Sequence, residues 1–142
     1  MDARGRFWHD GAPVLHRGLA AALASWICRH PDDGRYILSN GYDWTYFSVE
    51  DAPFCVETLG IEPDRIVLRL SDGTSEVWRP ESTRFGADGS IYASVKIDAP
   101  GGPYDAKFTR HAQASLAPVL VETDDSAAAV SLAGRIVRIG RP

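Results

Sequence analysis

The sequence predicts an α+β fold made of two small packed units, each a helix against antiparallel strands. Three observations carry that prediction. Strand-like stretches follow one another without the regular strand–helix alternation of a parallel sheet. Two amphipathic helical stretches stand far apart, near residues 14–29 and 104–117. Segment 16–28 also aligns on 109–121, matching Arg17 with Arg110, Ala21 with Ala114, Leu23 with Leu116 and Ala24 with Ala117. Four identities in alanine-rich helices are a weak sign of duplication alone, but they agree with the element order. The expected units are residues 1–87 and 88–142, with one compact domain as the alternative.

In chain order, Gly5–His9 reads as a short extended segment that turns at Asp10-Gly11. The first helix is expected over Val14–Arg29, because Leu15, Leu19, Leu23, Trp26 and Ile27 recur at helical spacing on one face. Pro31 and Gly34 stop it. Arg35–Ser39, Trp44–Glu50 and Pro53–Gly60 are rich in aromatic and β-branched residues and read as strands. Arg65–Ser71 and Thr74–Arg79 flank Asp72-Gly73, a hairpin signal because both residues tolerate positive φ. Ser90–Ile97 alternates between apolar and polar positions. Ala99-Pro100-Gly101-Gly102-Pro103 is the clearest break and reads as the seam between the units. The second helix, Tyr104–Ala117, is expected to bury Phe108, Ala112 and Leu116, and strands near 127–132 and 135–139 close the chain.

The composition excludes several classes. The chain has 142 residues and a formal net charge of −4. That size buries a core without disulfides or metals. An acidic balance argues against an extended nucleic-acid surface, which needs clustered cations. The two cysteines, Cys28 and Cys55, form no C-x-x-C pair, and the longest nearly apolar run, Leu19–Ile27, is far shorter than a membrane span. A cytoplasmic protein with reduced thiols is expected. Thirteen of the fifteen cations are arginine. Arginine grips phosphate or carboxylate through two parallel hydrogen bonds.

Motifs for chemistry are sparse. His9, His16, His30 and His111 show no metal-ligand spacing, and no phosphate loop or nucleophile elbow is present, so no metal or cofactor is expected. The stretch Trp44–Glu50, read as a strand, sets Trp44, Tyr46, Ser48 and Glu50 on one face, aromatics beside a carboxylate. Such mixed surfaces suit ligand pockets, although ordinary packing of Trp44 and Tyr46 against the first helix is the simpler reading. Arg17 and Arg110 sit near their helix starts, where a cation gains nothing from the helix dipole. Pointing into a shared cleft, they would make a pair of anion contacts.

The run Gly5–Val14, then Arg17 and the amphipathic helix, then Asp33-Gly34-Arg35-Tyr36-Ile37-Leu38, then Val49-Glu50-Asp51-Ala52-Pro53-Phe54 resembles one family. It is similar to the bacterial domain-of-unknown-function family 1285, most specifically at Val49–Phe54. The resemblance implies a duplicated α+β core whose second half is similar to pleckstrin-homology folds. It also implies an interface between the halves for a nucleotide-like ligand, with a role in signal transduction. Carried onto this chain, Trp8, His9, Arg17, Glu50 and Asp51 become candidates for that interface.

The leading expectation is therefore a non-enzymatic binding or regulatory module with a small anionic or nucleotide-like ligand between its units. Trp8, Trp44 and Tyr46 would stack the ligand, and Arg17 and Arg110 would meet its charge. The alternative is a protein-interaction module or homodimer formed through an exposed sheet edge or apolar patch. A hydrolase is the third reading and requires Glu50, Asp51 and a histidine to converge.

Overall fold

The computed structural model describes residues 1–122, 128–132 and 135–140. Strands β1 (Trp8–His9) and β2 (Ala12–Pro13) form a short hairpin, followed by helix α1 (Arg17–Ser25). A three-stranded antiparallel meander comes next: β3 (Ile27–Arg29), β4 (Tyr36–Ser39) and β5 (Trp44–Tyr46). A second meander contains β6 (Phe54–Ile61), β7 (Ile66–Leu70) and β8 (Ser75–Val77). A third contains β9 (Arg84–Phe85), β10 (Ile91–Val95) and β11 (Tyr104–Phe108). Helix α2 (Arg110–Leu116) then leads to β12 (Leu120–Glu122), β13 (Ala128–Leu132) and β14 (Arg135–Gly140). The architecture is α+β.

The second and third meanders fuse into one six-stranded sheet, ordered β8-β7-β6-β11-β10-β9. Their junction, β6 with β11, is a parallel pairing within an otherwise antiparallel sheet. The division at 87/88 lies in the β9–β10 hairpin, and the Ala99–Pro103 break connects β10 to β11, so both fall within this sheet. Period-two alternation sends Phe54, Val56, Ile66, Leu68, Leu70, Ile91, Ala93, Val95, Tyr104, Ala106 and Phe108 into the core. Ala112 and Leu116 of α2 and Val130 and Leu132 of β13 pack on that cluster. One element order recurs in the two parts of the chain. Arg17 opens α1 and Arg110 opens α2, and β3 and β12 follow at the same spacing of 93 residues, each beginning a three-stranded meander.

Several expectations need correction. The first helix covers only Arg17–Ser25, because Ile27–Arg29 pairs with Tyr36–Leu38 instead of continuing the coil. The face expected to be buried is split: Leu15 is 83% exposed and Leu19 47%, whereas Leu23 packs on the core and Ile27 is buried. The alanine face, with Ala24 buried, lies inward. Tyr104–Phe108 is a strand, since buried Tyr104, Ala106 and Phe108 alternate with Asp105 and Lys107, and the helix starts only at Arg110. The strand expected over Trp44–Glu50 ends at Tyr46. Beyond it the chain leaves the meander, and the Glu50 N–H donates to the Met1 carbonyl at 3.0 Å. Ser48 and Glu50 therefore do not extend the face of Trp44 and Tyr46. Ala127 and Ala133-Gly134, placed in and between the closing strands, lie outside the described residues.

Candidate functional site

A cavity of about 600 Å³ opens among the described residues. Ala3, Arg4 and Cys55 line it from the first part of the chain, and Asp88, Gly89, Ser90, Lys107, Phe108, Thr109, Arg110 and Gln113 from the second. Three cations, Arg4, Lys107 and Arg110, thus face one acid, Asp88. Asp88 is already occupied: its Oδ1 accepts the Ser90 N–H at 3.0 Å. Hydrogen bonds from Ser90 hold its carboxyl below the usual range, so it stays ionised. The Arg4 and Arg110 guanidiniums have no partner among the described residues. The cavity therefore carries unneutralised positive charge.

Lys107 is positioned by Asp51, whose Oδ2 accepts from Nζ at 2.9 Å and whose two oxygens accept the Tyr92 hydroxyl at 2.9 and 2.8 Å. The Asp51 hydrogen bond raises the Lys107 pKa above its ordinary value, so the ammonium persists through neutral pH. Burial first, then the same carboxylate, pushes the Tyr92 phenol up as well. Arg4 is presented by the N-terminal turn. Asp2 accepts the Arg4 and Arg6 amides at 2.9 Å and the Trp8 indole N–H at 2.8 Å. Glu50 Oε2 accepts the Ala3 N–H at 3.0 Å and ties that turn to the loop before β6.

The eight residues singled out in the sequence are not brought to one place. Arg110 lines the cavity; Glu50 and Asp51 bond its lining residues Ala3 and Lys107, Trp8 bonds Asp2, which accepts the Arg4 amide, and none of these three lines it. Arg17 lines a different, smaller cavity, so the two arginines do not share a cleft. His9 is exposed beside Asp10 at the β1–β2 turn. Trp44 and Tyr46, 50% and 38% exposed, form a cluster of their own with His30. Trp44 meets His30 edge-on at 4.8 Å, and Tyr46 donates to Asp33 at 2.6 Å beneath the Arg35 guanidinium. No histidine is bonded to Glu50 or Asp51 among the described residues.

Sequence reading missed Arg4, Lys107, Asp88 and Gln113. Lys107 was the most legible of them, because Tyr-Asp-Ala-Lys-Phe alternates with period two and sets Asp105 and Lys107 on the face opposite the core.

No family model and no curated protein matches the chain. Solved structures do. A DUF1285 family protein from Silicibacter pomeroyi DSS-3 superposes with a TM-score of 0.72 at 18% identity, covering 99% of this chain and 78% of that one. The chain has the DUF1285 fold. A DUF1285 family protein from Shewanella baltica OS155 agrees, with a TM-score of 0.59 and 21% identity over 77% of this chain and 81% of that one. Both are in keeping with the resemblance carried by residues 5–59. No helix among the described residues is long and apolar enough to cross a membrane.

Proposed function

We propose that this protein is a cytoplasmic, bacterial binding or regulatory module of the DUF1285 family, non-enzymatic and acting in signal transduction. It takes a small anionic, nucleotide-like ligand in the 600 Å³ cavity between the two parts of the chain. A pleckstrin-homology-like second unit belongs to the same reading. One observation carries the proposal: Arg4, Lys107 and Arg110 converge on a cavity whose acid, Asp88, is already bonded to Ser90. Two guanidiniums and an ammonium match the oxygens of a phosphate or carboxylate. The volume falls within the ~300–1,000 Å³ typical of small-molecule sites.

The test is a thermal-shift screen of nucleoside monophosphates, cyclic dinucleotides and inorganic phosphate, followed by calorimetry on any hit. A true ligand stabilises the protein by about 2.7 kcal/mol at 100 times its Kd, rising with the logarithm of concentration. Arg110→Gln and Lys107→Met should each abolish that stabilisation. No shift at millimolar concentration would remove the reading. A second reading, association with another copy or another protein, is favoured by the outward Leu15, Leu19 and Trp26 of the α1 region, the last 36% exposed. Light scattering at increasing concentration, with Leu19→Lys as control, tests it: a monomer throughout would rule out self-association.

A further inference from the structure

The second cavity, about 410 Å³, lies between α1 and the outer side of β6 and β7. Helix α1 contributes Arg17, Ala20, Ala21 and Ala24, residues that share one helical face. The sheet contributes Glu57 and Arg69. An amphipathic helix normally buries its large apolar residues against the sheet it covers. Here Leu15 and Leu19 point to solvent and Leu23 packs on the core, while Ala20, Ala21 and Ala24 line the space beside it, and their small side chains keep it open.

The charges around the space are also left uncompensated. Among the described residues, Arg17 and Arg69 have no hydrogen bond, ion pair or ring contact, and the Glu57 carboxylate makes none either. Glu57 sits at the bulge between Val56 and Thr58, where β6 pairs with Leu70 and Arg69 of β7. A bulge re-aims side chains and is a recurrent device beside binding sites. Glu57 and Arg69 are thus neighbours across two paired strands, line one cavity, and do not pair with each other. Two cations and one anion facing a slot with an apolar alanine wall match a ligand of two anions and one cation.

We propose that this cavity binds a free dicarboxylic α-amino acid, the glutamate and aspartate class. Its two carboxylates meet Arg17 and Arg69, its ammonium meets Glu57, and its methylene chain lies on Ala20, Ala21 and Ala24. The ligand's net charge of −1 neutralises the net +1 of the three side chains. The site is independent of the cavity lined by Arg110.

Calorimetry with L-glutamate and with glutarate, which lacks the ammonium, tests the assignment. Wild type should bind glutamate saturably and more tightly than glutarate. Arg69→Gln should weaken both by about 10-fold or more, the equivalent of one lost charge-assisted hydrogen bond. Glu57→Gln should weaken glutamate and tighten glutarate, an inversion that a merely structural role for Glu57 would not produce. Arg110→Gln should leave glutamate binding unchanged, which separates this site from the nucleotide-like one. Absence of saturable glutamate binding at millimolar concentration would overturn the proposal. So would an unchanged glutamate-to-glutarate ratio in the Glu57→Gln variant, with its fold verified by circular dichroism.

Discussion

Replacing Arg29 by alanine is expected to cost about 2–3 kcal/mol of stability, because this side chain clasps the β3–β4–β5 meander to the loop entering β11. Its Nη1 donates to the Gly101 carbonyl and, at 2.7 Å, to the Pro103 carbonyl. The guanidinium also lies over the rings of Tyr104 at 4.7 Å and Tyr36 at 5.3 Å. A hydrogen bond from a charged donor contributes about 1.5–3 kcal/mol, and an exposed cation–π contact about 0.5–1. Arg29 is half-buried, and water re-solvates the two loop carbonyls once the side chain is gone, so the net loss falls below the simple sum of these contacts. The backbone N–H of Arg29, which donates to the Tyr104 hydroxyl at 3.2 Å, survives the substitution. Urea unfolding followed by circular dichroism should show a lower midpoint at unchanged slope, and Tm should fall by roughly 6–12 °C. Arg29→Lys keeps the charge but not the planar fork and should lie between alanine and wild type. An Arg29→Ala protein within about 0.5 kcal/mol of wild type would refute the clasp, since that is the scatter of ordinary surface substitutions.

Two further outcomes concern protonation. Burial tends to raise the Asp2 carboxyl, but donation from the Trp8 indole, the Arg6 and Arg4 amides and the Arg6 side chain outweighs it and holds the pKa at about 2 instead of 3.8. A depressed folded pKa contributes stability that is present above about pH 4 and lost as pH falls toward 2. The fluorescence change attributable to Trp8, taken against a Trp8→Phe protein, should therefore titrate near pH 2; a midpoint near 4 would contradict the network. Burial, with Glu57 adding to it, pushes the Cys55 thiol up to about 11. In a Cys28→Ser background, a disulfide reagent at pH 8 should label Cys55 far more slowly than a free thiol until the protein is unfolded, and rapid native labelling would contradict that assignment.

Local pattern sufficed for much of the fold. Period-two alternation marked β7 and β10, and Asp72-Gly73 marked the β7–β8 turn, whereas the helices were expected to start at Val14 and Tyr104 instead of Arg17 and Arg110. Tyr104–Phe108 was misread because Phe108, Ala112 and Leu116 continue at helical spacing across the junction of a strand and a helix. The exposure of Leu15 and Leu19 beside α1 was illegible for a different reason. Periodicity identifies an apolar stripe but not what lies opposite it, and Leu15 and Leu19 lie over no neighbouring element. The main cavity was legible only through Arg110. Arg4 and Lys107 meet it because the N-terminal turn and the β6–β11 pairing bring distant segments together, and no local pattern encodes either contact.

The parallel β6–β11 junction has a consequence for how the chain reaches this state. Each flanking meander is assembled from hairpins between sequence neighbours, whereas the junction pairs Phe54 with Ala106, 52 residues apart. Closing that long loop incurs its entropy before any contact across the junction rewards it. The two halves of the sheet are thus fast-forming local pieces, and their central joining is the step that governs the folding rate. Core substitutions at Phe54 or Ala106 should slow folding, whereas those in β8 or β9 at the sheet's margins should mainly speed unfolding.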